Sequence, residues 1–315
     1  MAVRFSIQSL LCMILMFCLG KEAAAQISTK TVLASFPPSR EVVYKKAGNA
    51  ELRLHVFEPA KNTAKGRKPA IVFFHGGYWS VGTPIQFYPQ CSFFAERGFL
   101  ACSAEYRLVK KNGVTPFECV TDGKSAVRWL RQHAKELGID PNRIVASGGE
   151  AGAQIAACTA LIGALDDPGE DKKISSVPNA LVLFGPMVDT TEKGFGRRLL
   201  GERGQEISPA HHVAKGAPPT ILFHGTADRI LPLATVERFA GLMREAGNVC
   251  ELVPAEGRKH GYFNHSSFAV AVDRKCFDEV IQRAYRFLQD QGIVKELPAG
   301  KKAMPPSPSP PVKSK

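Results

Sequence analysis

The sequence predicts an α/β chain, a mostly parallel sheet covered by helices on both faces. Three observations carry this reading. Apolar runs of strand length alternate with longer stretches of helical period along residues 40–290. Central runs such as Ala70–Phe74 (AIVFF) and Ala180–Phe184 (ALVLF) are apolar at every position, as strands buried on both faces require. The segments richest in chemistry, His75–Trp79, Gly225–Asp228 and Lys259–Phe263, follow strands, where open α/β sheets place their ligands.

The elements follow in order. Val42–Tyr44 and Leu52–Phe57 are opening strands joined through the turn residues Gly48 and Asn49. Ala70–Phe74 is the first central strand. Gln86–Arg97 is a helix that Gly98 ends, and Leu100–Glu105 returns to the sheet. Val120–Leu137 is a helix because Val120, Ala126, Val127, Leu130, Ala134 and Leu137 form one apolar face, with Gly138 as its stop. Arg143–Ser147 (RIVAS) is a strand that passes at once into a helix from Glu150 to about Leu165. Ala180–Phe184 and Thr220–Phe223 are strands, and 186–218, rich in Gly and Arg, is an insertion between them. Leu233–Ala246 is a helix, Cys250–Val253 a strand, and Val272–Gln291 a closing amphipathic helix.

Composition bounds the rest. The chain has 315 residues, 44% hydrophobic and 22% charged, a globular balance that excludes collagen, coiled coil or disorder for its bulk. Residues 1–25 are expected to be a secretory signal: Arg4 supplies the positive end, Leu10–Leu19 a core too short to span a bilayer, and Ala23–Ala25 a cleavage site. An uncleaved anchor helix is the alternative. Residues 26–296 then form the α/β domain, and 297–315, rich in Pro and Lys with little to bury, a disordered tail. The expected location is secreted or periplasmic, with no membrane span after signal removal.

The formal net charge of +12 comes partly from Lys301, Lys302, Lys313 and Lys315 in that tail. No Lys/Arg stripe with interleaved aromatics is present, so nucleic acid is not an expected partner. No P-loop, no G-x-G-x-x-G after a first strand and no His pair on a helix is present, so no cofactor or metal is expected. Beyond the signal lie Cys91, Cys102, Cys119, Cys158, Cys250 and Cys276, without a C-x-x-C pair. Cys102 and Cys158, in apolar contexts, read as buried thiols; the disulfide state of the set stays open.

In His75-Gly76-Gly77-Tyr78-Trp79 the adjacent glycines let the backbone turn sharply and aim N–H groups at a ligand oxygen. A plain Gly-rich turn is the simpler alternative. Gly225-Thr226-Ala227-Asp228 puts an Asp past a strand end, where it orients a histidine or merely closes an Asx turn. Lys259-His260-Gly261-Tyr262-Phe263 puts His260 on a loop as a general base. His55, His133, His211, His212, His224 and His265 lack a comparable setting. Tyr78, Trp79 and Tyr262 either stack on a substrate ring or pack in the core.

With Gly148-Gly149-Glu150-Ala151-Gly152 between strand and helix, these motifs stand in the chain order nucleophile, acid, histidine. The chain resembles the acetyl-esterase, hormone-sensitive-lipase-like branch of the α/β-hydrolase family over about residues 40–290. The resemblance implies the α/β-hydrolase fold and hydrolysis of carboxylic esters, often of acetylated or feruloylated carbohydrate. A small-molecule or saccharide ester is therefore the expected substrate. The resemblance also implies Glu150, Asp228 and His260 at the catalytic positions and Gly76, Gly77 and Ala151 as N–H donors to an oxyanion. His75, Tyr78, Trp79 and Tyr262 are the candidate substrate contacts. The family pattern is G-x-S-x-G, and here Glu150 stands where serine is expected. Ser147 lies earlier, on the strand, and cannot take its place.

A carboxylate at a helix N-terminus is favoured in its ionised form, and two carboxylates around His260 raise its pKa. Three roles stay open for Glu150. As a covalent nucleophile, like the Asp of the dehalogenase and epoxide-hydrolase branches, it suits an sp3 carbon better than an acyl carbon, where it would form an anhydride. As a general base it would position water for attack on an acyl carbon, with its own oxygens competing for the oxyanion hole. As half of an inert ion pair with His260 it would leave a pocket that only binds. The reading adopted is a hydrolase with an atypical Glu. Lys193, Arg197, Arg198, Arg203 and Lys215 in the insertion would hold an acidic saccharide, or else form a solvated basic loop.

Overall fold

Among the described residues, one sheet of eight strands organises the protein: β1 (Arg40–Ala47), β2 (Ala50–Phe57), β3 (Lys68–Phe74), β4 (Leu100–Ala104), β5 (Ile139–Gly149), β6 (Ala180–Phe184), β7 (Thr220–Gly225) and β8 (Cys250–Ala255). The structure is a computed structural model that describes residues 29–59, 66–191, 196–269 and 273–294, without the Arg198 side chain. The expected signal and tail, and Lys193, lie outside the described residues. The spatial order is β1-β2-β4-β3-β5-β6-β7-β8. β2 runs antiparallel to β1 and β4, and the other pairings are parallel. This is the mostly parallel α/β-hydrolase sheet that the alternating pattern predicts.

Successive side chains of a strand point to opposite faces, so the apolar run of β3 feeds two cores. Val72 and Phe74 enter one, Ile71 and Phe73 the other, and all four are fully buried. The first core is closed by α2 (Pro116–Gln132), α3 (Ala151–Leu161) and α4 (Leu233–Glu245), through residues such as Val127, Ile155 and Phe239. The second is closed by α1 (Tyr88–Ala95) and α5 (Arg274–Asp290), through Phe94, Ile281 and Phe287. Each such buried Phe or Ile contributes about 1.5–3 kcal/mol over its exposed state.

Several boundaries differ from the sequence expectation for local reasons. The expected helix over Gln86–Arg97 opens as a 3-10 turn, Pro84–Phe87, because Thr83 caps it and Pro84 occupies its first position. α2 begins before Val120: Pro116 suits a first helical position, and Glu118 reaches back to the Thr115 N–H at 2.8 Å. It breaks at His133, and Ala134–Leu137 forms a separate turn stopped by Gly138 at φ 65°. α3 ends at Leu161, short of Leu165, with Glu150 outside it as N-cap. The insertion holds the short turns Arg197–Leu200, Gly201–Ile207 and Pro209–His211. A helix over 29–35 was not expected.

Buried charges on α2 tie the loop after α3 to the sheet. Asp122 bonds Lys45 at 3.0 Å and Arg107 at 2.8 Å, and Asp166 takes Lys124 at 3.0 Å and Arg128 at 2.5 Å. Removing one member of such a set strands its partner and costs about 3–5 kcal/mol. Among the described residues, no helix is long and apolar enough to cross a membrane.

Candidate active site

Four loops meet at the carboxyl ends of the parallel strands, carrying His75–Trp79 after β3, Glu150 after β5, Asp228 after β7 and His260 after β8. The turn at Glu150 is the sharpest. Its backbone sits at φ 53°, ψ −114°, a region costing a non-glycine residue about 1–3 kcal/mol. The surroundings impose it. The Glu150 N–H donates to Phe184 O at 3.0 Å, and its carbonyl accepts from Gln154 at 3.0 Å. α3 must also cross tight against β3: a Cβ on Gly152 would lie 2.0 Å from Phe74 O and 2.4 Å from His75 O. Glycine is required there by contact.

The loop after β3 faces this turn. Gly77 takes φ 117°, and Tyr78 and Trp79 follow in left-handed conformations at 55° and 57°. The result is a pair of backbone donors on one carboxylate: Gly77 N–H to Glu150 Oε2 at 2.9 Å and Tyr78 N–H to Oε1 at 3.2 Å. The Gly76 N–H, expected to belong to this pair, donates instead to Gln86 Oε1 at 2.8 Å, and Tyr78 stands in its place. Ala151 opens α3, where its N–H has no intrahelical carbonyl to meet. Glu150 is 6% exposed, and its carboxylate fills the space where these donors would otherwise meet a ligand oxygen.

Opposite, His260 Nδ1 lies 2.7 Å from Asp228 Oδ2. The other carboxylate oxygen accepts from the N–H groups of Ile230 at 2.8 Å and Leu231 at 3.0 Å. Burial works against ionisation of Asp228, but the His260 hydrogen bond and these two donors hold its carboxyl below the ordinary range. Burial also disfavours a charged His260, yet the Asp228 hydrogen bond and the charges of Asp228 and Glu150 raise it above the usual histidine value. For Glu150 burial wins and its carboxyl is raised, against the pull of the Gly77 and Tyr78 donors and the His260 charge.

The candidate substrate contacts separate. Tyr78 is half-buried at the site; burial and the charges of Glu150 and Asp228 raise its hydroxyl. His75 is not available to a substrate. It is 2% exposed, stacked on Tyr106 with ring centroids 4.4 Å apart, and burial lowers its pKa to about 4. Trp79 is fully buried, because its left-handed backbone turns the ring inward, and its Nε1 donates to Gln154 Oε1 at 3.0 Å. Tyr262 packs in the second core. It lines a cavity of about 330 Å³ with Val253, Cys276 and Arg283, its hydroxyl buried without a hydrogen-bond partner.

Ser147 donates to Val182 O at 2.7 Å inside the sheet, far from any nucleophilic role. In the insertion, Arg203 pairs with Glu206 at 2.7 Å rather than presenting free charge. Among the described residues, no group of three or more His, Cys, Asp or Glu is placed to hold a metal ion.

Other residues shape the site without a local sequence signal. Gln86 accepts from Gly76 and donates to Asn264 Oδ1 at 2.9 Å, and Asn264 Nδ2 donates to Gly261 O at 2.9 Å. This buried chain ties the donor loop to the His260 loop. Gln154 joins Trp79 to Ile207 of the insertion, donating to its carbonyl at 2.7 Å. His224, fully buried, lies 3.6 Å from Asp228 Oδ2 and hydrogen-bonds Leu231 O at 2.8 Å.

Comparison with known proteins places this geometry. The BD-FAE family model matches residues 54–243. A probable isoprenylcysteine alpha-carbonyl methylesterase, ICMEL1, of Arabidopsis thaliana is 28% identical over 245 residues, covering 70% of this chain and 50% of that protein. Esterase LipQ of Mycobacterium tuberculosis is 30% identical over 205 residues, covering 58% of this chain and 48% of its own. The chain thus spans about half the length of the curated relatives it matches. Among solved structures, Thermogutta terrifontis esterase 2 phosphoramylated by tabun superposes with a TM-score of 0.78 at 45% identity, over 83% of this chain and 98% of that one. Its propionate-bound form gives 0.77 at 44%, over 85% and 98%. The fold, the strand-end loops and the family match agree: the chain belongs to the BD-FAE family, an esterase family of the α/β-hydrolase fold.

Proposed function

We propose that this protein is a hydrolase of small esters in which His260, oriented by Asp228, activates water, and Glu150 stands in place of the hydroxyl nucleophile. The observation that carries the reading is the 2.7 Å His260–Asp228 hydrogen bond across from the donor pair on Gly77 and Tyr78. With Nδ1 bonded to Asp228, Nε2 is the atom left to accept a proton from water. Depressed Asp228 stays anionic and steadies the imidazolium that forms. The names of the relatives support an ester as substrate. With Arg203 paired to Glu206, the insertion gives an acidic saccharide less support. Export is part of the proposal and rests on the signal-like residues 1–25; N-terminal sequencing of the mature protein from culture medium and periplasm tests it.

A second reading has its own observation. Glu150 occupies the donors that a substrate oxyanion needs, as a disarmed binding protein would have it. Hydrolysis of p-nitrophenyl acetate by the protein as found, as Glu150→Ala and as Glu150→Ser decides between them. Turnover that Glu150→Ala abolishes supports the hydrolase. A parent silent toward both this acyl ester and an alkyl sulfonate, with an active Glu150→Ser variant, overturns it in favour of binding.

A further inference from the structure

Resting on the hydrolase reading above, we propose that Glu150 is a covalent nucleophile toward sp3 carbon, and that the substrates are small alkyl esters of strong acids, cleaved at the alkyl carbon–oxygen bond. Sulfonate, sulfate and phosphate esters share that chemistry.

The placement of the carboxylate selects this class. An acyl substrate develops an oxyanion that must find N–H donors, and here Gly77 and Tyr78 already hold Glu150 at 2.9 and 3.2 Å. Attack by a carboxylate on an acyl carbon would also yield an anhydride, less stable than the starting ester. Attack on an alkyl carbon needs no such donors, because negative charge passes from Glu150 to the departing acid anion. Oε1, held by the longer bond, supplies the electron pair. The Oε1–C bond forms as the bond from carbon to the leaving oxygen breaks, that pair leaves with the acid anion, and no proton moves.

The product is a glutamyl ester whose carbonyl, Oε2, still rests on the Gly77 N–H. Its hydrolysis engages the rest of the site. Water adds to the Glu150 carboxyl carbon, His260 takes the water proton, and the oxyanion forms on Oε2 at the donors already in place. The acyl C–O bond then breaks, the alcohol leaves with the proton from His260, and the regenerated carboxylate keeps one oxygen from water. Overall, an alkyl ester and water give an alcohol, an acid anion and a proton. Charge favours the order of steps. Glu150 and Asp228 both raise His260, and alkylation erases the Glu150 charge, so His260 gives up its proton more readily once the ester exists and is then free to accept one from water.

The probe is methyl p-nitrobenzenesulfonate, given to the full chain in a single turnover in water labelled with heavy oxygen, with mass analysis of the peptide that contains Glu150. Heavy oxygen in the Glu150 carboxylate is the expected result. His260→Gln should retain a methyl group on Glu150 and slow steady turnover roughly 100-fold or more. If that variant does not fold, the parent labelling still decides. Heavy oxygen in the methanol alone, or an unlabelled Glu150 peptide, overturns the proposal. Turnover of p-nitrophenyl acetate with Glu150 unlabelled by the sulfonate leaves the hydrolase reading standing and removes this one; no turnover of either probe removes both.

Discussion

Replacing Gln86 with Leu tests whether the buried chain between the donor loop and the His260 loop is as structurally important as its geometry implies. Gln86 is 9% exposed and its amide makes two hydrogen bonds, to the Gly76 N–H at 2.8 Å and to Asn264 Oδ1 at 2.9 Å. Leu has similar volume and leaves both partners buried and unpaired. Each orphaned group costs about 1–3 kcal/mol, so Gln86→Leu should destabilise the protein by roughly 2–6 kcal/mol. At about 2–4 °C per kcal/mol for a domain of this size, the melting temperature falls by roughly 4–24 °C. Urea unfolding of Gln86→Leu, Asn264→Leu and the double variant measures both the cost and the coupling. The two side chains share one bond, so the double variant should cost less than the sum by about 1–3 kcal/mol. Where turnover exists, its kcat should fall, because Gly76 sets the placement of the Gly77 donor. A single-variant loss below about 0.5 kcal/mol, or strict additivity in the cycle, would refute the reasoning.

Other substitutions probe the same surroundings. Glu150→Gln removes one of the carboxylate charges that raise His260, so the imidazole titration followed by NMR should move to lower pH. Because folding raises His260, its charged form contributes stability that is complete below the unfolded histidine value and lost as pH rises through the folded one. That loss should be complete at lower pH in Glu150→Gln, and an unmoved titration would mean the Glu150 charge does not reach His260. Trp79→Phe leaves Gln154 Oε1 without its 3.0 Å donor and a gap beside it, a cost of about 2–3 kcal/mol in urea unfolding. Gly152→Ala drives a Cβ to 2.0 Å from Phe74 O and should cost more than about 3 kcal/mol or prevent folding. Gly163→Ala, with nothing within 4 Å, is the control and should change stability little.

Much of this architecture is legible in local pattern. The β3 and β6 runs are apolar at successive positions because both faces are covered, and the structure buries them throughout β6 and from Pro69 to Phe74 in β3. Strand ends followed by Gly-rich turns mark where loops converge, so the neighbourhood of Glu150, Asp228 and His260 follows from their strands. Boundaries were less legible where a cap decided them, as with Thr115 and Glu118 ahead of α2.

The amino-acid sequence by itself determined the sheet, the helical coverage and the loops that carry the chemistry, because hydrophobic period and turn residues act over a few neighbouring positions. Only the tertiary structure decided what those loops do to one another. Gln86 and Asn264 stand 178 positions apart, and nothing near either predicts their bond. Trp79 and His75 looked like ligand contacts and are buried, because the left-handed turn after Gly77 directs Trp79 to Gln154 while His75 stacks on Tyr106. The oxygens of Glu150 lie on the Gly77 and Tyr78 N–H groups because α3 crosses β3 at glycine contact distance. A hydrogen-bond pairing of this kind is set by angles and separations in space, which a one-dimensional pattern does not contain.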